Sequence, residues 1–199
     1  MGDPKKSRKR YTPPRNPWRS DQLSQELFLL GSYGLRNKRE LWRAQTQLSN
    51  FRKQARHLLA APGEVRGREE PKLLTHLGKI GLIQIGESTL DDVLSLTVEN
   101  VLERRLQTLV WKRGLAKSPY QARQLISHGH IALNQRRMTI PSYLVGASEE
   151  GSLSYSSGSK FSRMAQASAA NAEIAAEMKV EEQASEAPVA PTAELAPGA

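Results

Sequence analysis

Residues 104–140 read RRLQTLVWKRGLAKSPYQARQLISHGHIALNQRRMTI. Their spacing decides the fold. With the residues just before them, Val98, Val101, Leu102, Leu106, Leu109 and Val110 form an apolar row, which predicts one helix over 98–113. Arg104, Thr108 and Lys112 form a polar row at i, i+4 and i+8, with Arg105 beside it. Gly114 supplies a left-handed stop. Ser118-Pro119 then stands at N-cap and N1, a start signal for a second helix that turns Ala122, Leu125 and Ile126 inward and ends at Gly129. Ile131-Ala132-Leu133 and Met138-Thr139-Ile140 read as strands around an Asn134-Gln135-Arg136-Arg137 turn. Pro141 stops the pairing, and Ser152-Leu153-Ser154-Tyr155 offers a further strand. Two helices followed by a small antiparallel sheet make this stretch an α+β unit.

The same stretch is dense in cations. Lys112, Arg113, Lys117 and the helix start at Ser118 fall close together, and a helix N-terminus offers free amides to a phosphate. Arg123, Gln124 and His128 extend that surface along the second helix, and Arg136-Arg137 adds a contact at the hairpin tip. Periodicity sets these groups off the apolar row, which suits solvent and RNA alike. Their density favours RNA, whose folded forms are read by shape and phosphate position.

Working outward, the flanks are helical on one side and acidic on the other. The chain has 199 residues and a formal charge of +9. Residues 1–160 alone carry +13, residues 1–56 carry +10, and residues 161–199 carry −4. Residues 1–19 form a basic, proline-rich arm whose Lys5, Lys6, Arg8, Lys9, Arg10 and Arg15 can lie along phosphates. Tyr11 and Trp18 are available to stack on bases, and Trp18 alternatively to dock on the first helix. Residues 20–97 read as a helical bundle. Ser20 starts a helix carrying Leu23, Leu27 and Leu30, and Asn37 with Glu40 resembles a capping box. A long helix over 38–60 buries Leu41, Ala44, Leu48, Phe51, Ala55, Leu58 and Leu59. Its outer face carries Lys38, Arg39, Arg43, Arg52, Lys53 and Arg56. A further helix is expected from Pro71, and a short one after the Thr89-Leu90-Asp91-Asp92 cap. The resulting division is arm 1–19, helical RNA-binding domain 20–97, RNA-binding module 98–160, and an acidic tail 161–199. The tail holds thirteen alanines, with transient helix expected over 164–180 and disorder over 181–199. It reads as a dispensable extension or as an acidic decoy for the basic body.

Several function classes find no support. The chain has no cysteine, which removes disulfides, thiolate nucleophiles and Cys-ligated zinc. Its four histidines, His57, His76, His128 and His130, occur in no nucleophile or metal motif. His128-Gly129-His130 has chelating spacing but no carboxylate near it, and fits a helix end followed by a strand better. No apolar run approaches the roughly 18 residues of a membrane span, and no export signal is seen, so the expectation is a cytoplasmic protein with no metal, no cofactor and no membrane partner.

Arg104-Arg105-Leu106, Gly114-Leu115-Ala116-Lys117-Ser118, Ala122-Arg123-Gln124-Leu125-Ile126, Gly129-His130-Ile131 and Asn134, in this order, resemble the RNA-binding module named after protein S-four of the small ribosomal subunit. That module also occurs in some pseudouridine synthases and tyrosyl-tRNA synthetases. Lys38-Arg39-Glu40-Leu41-Trp42, Phe51-Arg52-Lys53-Gln54-Ala55-Arg56 and residues 82–96 extend the resemblance to the archaeal and eukaryotic form of that ribosomal protein family, the archaeal form most, over roughly residues 1–160. The resemblance implies a mainly helical α+β fold, with the module inserted into a helical domain that residues near 161 would complete, and an RNA face at Arg104, Arg105, Lys117, Ser118, Arg123, Gln124 and His128. It also implies a structural protein, not an enzyme, that binds a 5′-region junction of small-subunit ribosomal RNA early in assembly. In the ribosome it would stand near the mRNA entry beside protein S-five. An assembly factor or an RNA-modifying enzyme carrying the same module is the alternative. Two departures stand out: Gln107 where many members carry Asp, and Gln135 where many carry Gly. Because non-Gly residues resist positive φ, the second predicts a longer or wider turn than a tight hairpin.

Overall fold

The computed structural model describes residues 2, 9–84, 86 and 88–163. The expectations for Lys5, Lys6, Arg8 and residues 164–199 lie outside these. Among the described residues the chain forms α1 (Ser20–Ser32), α2 (Lys38–Leu59), α3 (Gly63–Ile80), α4 (Leu90–Ser95), α5 (Val98–Glu103), α6 (Leu106–Lys112), α7 (Pro119–Ser127), β1 (Ile131–Leu133), β2 (Arg136–Met138) and β3 (Ser154–Tyr155). The architecture is mainly helical α+β, with one antiparallel sheet in the order β2-β1-β3. Residues 1–156 form one compact unit.

α2 is the spine. Leu41, Ala44, Leu48, Phe51, Ala55 and Leu58 are buried along one side of it, against Leu73 and Leu77 of α3, Leu90 and Val93 of α4, and Val101 and Leu102 of α5. The expected stripe is present except at Leu59, which is exposed. In the module, Leu106, Leu109 and Val110 of α6 are buried together with Ala122, Leu125 and Ile126 of α7 and all of β1. Local start signals are realised where both partners are local. Ser118 Oγ accepts from the Gln121 amide at 3.2 Å, and the Asp92 carboxylate accepts from the Thr89 amide at 2.7 Å. α3 begins at Gly63, eight residues before Pro71, and carries that proline internally; Arg66–Glu70 (2.9 Å) bridges its first turns. α1 turns Glu26 inward instead of Leu27. Glu26 accepts from Trp42 Nε1 at 3.0 Å and pairs with Lys38 at 3.1 Å, which satisfies a buried carboxylate.

The helix expected over 98–113 is two helices. Arg104 (ψ 0°) and Arg105 (ψ 140°) break it. The segment 141–145 supplies the reason: the Leu106 amide donates to the Tyr143 carbonyl (2.8 Å), the Gln107 amide to Pro141 (3.3 Å), and the Val145 amide donates to the Arg104 carbonyl (3.0 Å). Backbone groups that a continuous helix would pair internally are taken by this strap. The i, i+4, i+8 row through Arg104 therefore does not exist.

The hairpin is also tighter than expected. Leu133 pairs with Arg136, leaving a two-residue loop with Asn134 at φ 50° and Gln135 at φ 64°. Two positive φ values identify a type I′ turn, whose twist matches the flanking strands. Asn tolerates this region; Gln does so at a cost of about 1 kcal/mol. Gln135→Gly should therefore gain about 0.5 kcal/mol net, after the added freedom of the unfolded chain is subtracted. Thermal unfolding would read this as a rise of roughly 1–2 °C. A drop would show that the Gln135 side chain itself holds the turn.

Candidate nucleic-acid interface

The cations predicted from sequence fall into two groups: those bonded to the protein itself and those left facing outward. The first group is built around Glu40. Asn37 does precede α2, but its side chain makes no cap there, and the Glu40 carboxylate that would supply the other half of a capping box is bonded elsewhere. Arg105 Nη2 reaches Glu40 Oε2 at 2.8 Å, and Arg123 binds both oxygens, Oε1 at 2.7 Å and Oε2 at 3.2 Å. This fork-to-fork pair joins α2 to α7, and Arg105 joins both to the break before α6. Gln107 completes it: Oε1 accepts from Arg123 at 3.2 Å, while Nε2 donates to the carbonyls of Gly34 (2.9 Å) and Pro119 (3.0 Å). A neutral amide suits this position, since the carbonyls require a donor that a carboxylate lacks. Gly34 (φ 59°) is needed there, as a Cβ would come within 2.7 Å of Pro119. Burial pushes the Glu40 carboxyl up, but the hydrogen bonds and charges of Arg123 and Arg105 outweigh it and hold the group below its ordinary value of 4.5. Burial loosens the Arg105 proton, and the Arg123 and Arg43 charges add to that, against the pull of Glu40.

Arg104 is likewise held by the protein. It donates to the carbonyls of Ile80 (3.0 Å) and Val145 (3.1 Å) and to Glu150 (2.7 Å). It fills the space a Cβ at Gly81 would need, 2.8 Å from its guanidinium. The sequence assigned Arg104, Arg105 and Arg123 to RNA; in the structure all three bond to protein acceptors, and Arg105 is only 5% exposed. Arg52 donates to the Leu96 carbonyl, and Arg137 to the His128 carbonyl at 2.8 Å, where a cation suits the α7 C-terminus.

The second group lies on two surfaces. On α2, Arg39, Arg43 and Lys53 are exposed and fall within about 80° of one another on the helical wheel, opposite the buried stripe. Arg56, also exposed, is off this line, so the outer face is not one stripe. On the module, Lys117, Gln124, His128 and Arg136 are exposed, with Ser118 half-buried at its cap, and Arg137 belongs to both groups, exposed although bonded to the His128 carbonyl. Lys112 pairs with Glu103 at 2.8 Å on the surface, a bond worth little in water. Tyr120, which sequence reading passed over, is 60% exposed. It stands at i of the row Tyr120, Gln124, His128, and that spacing was available from sequence. It gives that exposed row an aromatic surface of a kind able to carry a base.

In the arm, Lys9 Nζ lies 4.6 Å from the Tyr11 ring, and Tyr11 stacks on Trp42 at 5.9 Å, so that ring serves α2 and not a base. Arg10 and Arg15 are exposed, and Trp18 at 86% exposure does not dock on α1. Among the described residues no group of three or more His, Cys, Asp or Glu could hold a metal, and no helix is long and apolar enough to cross a membrane.

Comparison with known proteins adds two family matches. Residues 4–103 match the family described as ribosomal protein S4/S9 N-terminal domain, and residues 104–150 match the S4 domain. The two matches meet where α5 ends and the chain breaks into α6. The small ribosomal subunit protein uS4 of Ignicoccus hospitalis is 54% identical over 166 residues, 83% of this chain and 99% of that protein. The uS4 proteins of Sulfolobus acidocaldarius (53%) and Saccharolobus solfataricus (52%) each align over 161 residues, 81% of this chain and 92% and 89% of theirs.

Proposed function

We propose, from the premise that this chain belongs to the S4 family of small-subunit ribosomal proteins, that it is a structural constituent of the small ribosomal subunit. It works in the cytoplasm, without catalysis, by holding several segments of ribosomal RNA in one arrangement. One observation carries the mechanism: the α2 surface and the module surface are fixed to each other by the Glu40–Arg105–Arg123 junction. Phosphate contacts made by two cationic surfaces at a set separation position RNA segments relative to each other without reading sequence. Such a body fits a junction, where several helices diverge, better than a single duplex. We take that junction to be the 5′-region one that the family implies, bound early so that later steps follow. The finer placement, near the mRNA entry and beside protein S-five, belongs to the same reading. So does the domain division into a helical RNA-binding part before residue 98 and a module after it.

Footprinting of the purified protein on small-subunit RNA tests this. Protection should cluster at one junction; scattered protection along isolated helices would refute it. Lys117→Ala and Arg136→Ala should each weaken binding roughly fivefold, alike for cognate and altered sequences, with the thermal midpoint unchanged. Sedimentation separates a ribosome component, which co-migrates with mature subunits, from an assembly factor, which does not.

A further inference from the structure

The junction around Glu40 holds more positive charge than it neutralises. Arg105 and Arg123 bond the single carboxylate, and Arg43 on α2 stands close enough for its charge to act on Arg105. Beside them a half-open pocket of about 100 Å³ is lined by Glu40, Arg43, Gln47, Arg105, Ser142 and Leu144. Arg105 is almost wholly buried, yet its Nε has no acceptor among the described residues. A buried N–H without an acceptor costs about 1–3 kcal/mol, so a native chain leaves one mainly where a ligand or water answers it. Ala44, Val101 and Leu144 give the wall an apolar part, and the rest of the lining supplies guanidinium, amide and hydroxyl donors, with its one carboxylate already spent. Its volume of about 100 Å³ has room for a single tetrahedral oxyanion. We propose that this pocket, between α2 and the 141–145 strap, receives one phosphate group of the RNA backbone. This rests on the RNA-binding reading and places one phosphate against the fixed junction itself, continuous with Arg39 and Arg43. A protein carboxylate is the rival occupant.

Inorganic phosphate, compared with chloride at equal ionic strength, is the probe on the full chain. At ten times its dissociation constant it should raise the thermal midpoint by about 3 °C. Arg43→Gln should lose most of that response. Ser142→Glu, which puts a carboxylate at the pocket mouth, should lose it too and melt higher than wild type in chloride. With small-subunit RNA, Arg43→Gln should reduce the slope of log K against log salt by about one. Arg68→Gln, exposed on α3, should not change the slope. An undiminished phosphate response in both pocket variants overturns the proposal, as does equal protection by acetate, which would mark a carboxylate site. An unchanged slope in Arg43→Gln, with wild type binding normally, overturns it as well. If phosphate protection is lost in Arg43→Gln but wild type fails to bind the RNA, the anion pocket stands and the RNA reading falls.

Discussion

Glu40→Ala should lower the thermal midpoint by about 10 °C. The substitution removes the only carboxylate that bonds Arg105 and Arg123 among the described residues and leaves Arg105, 5% exposed, as an uncompensated buried charge. Breaking one side of a buried pair costs about 3–5 kcal/mol, and each kcal/mol moves the midpoint of a chain this size by about 2–4 °C. The small gain in helix propensity from Ala does not offset that. Glu40→Gln should lose less, because its carbonyl still accepts. The pH dependence has a definite sign. A carboxyl held below its ordinary value binds its proton more readily in the unfolded chain, so its contribution is present above pH 4.5 and fades as pH falls through the lower folded value. Wild type should therefore destabilise on acidification below that point, and Glu40→Gln should lack this component. Equal acid sensitivity in both proteins would show that Glu40 is not the group responsible.

RNA affinity should fall about 10³–10⁵-fold between 50 and 200 mM monovalent salt. That is the loss expected for a protein that neutralises about six to ten phosphates. The outward cations on α2 and on the module, with those of the arm, are enough for that number. Filter binding across a salt series measures it directly. A shallow slope with tight binding would mean that contacts to bases and sugars dominate, and the proposed mechanism would fail.

What the sequence disclosed followed the range of the interaction. Ser118-Pro119 and Thr89 with Asp92 were legible because donor and acceptor lie within a turn of each other. The α2 stripe was legible because its period is its own. Asn37 with Glu40 has the pattern of a capping box and is not one: Asn37 makes no side-chain cap, and the Glu40 carboxylate goes to partners from distant parts of the chain. The break at Arg104–Arg105 was invisible for the same reason: its cause is the strap at 141–145. Outward-facing cations were harder still to separate from structural ones. Arg104 and Arg105 sit in the family motif beside Lys117, yet they bond inward and Lys117 does not. Composition counts such residues alike; only their acceptors distinguish them.

The Glu40 junction also has a timetable. Its partners lie 65 and 83 residues further along the chain. Synthesis runs from the N-terminus, so α2 is made well before either guanidinium exists. Contacts this distant carry a loop-closure cost and form late. α1 to α4 are therefore synthesised before the contacts that will fasten them to the module exist. Once residue 123 has emerged, one event fixes the angle between the two RNA surfaces. A nascent chain stalled before that point would carry much of the positive charge but not the geometry. Such a chain should hold RNA without shaping it.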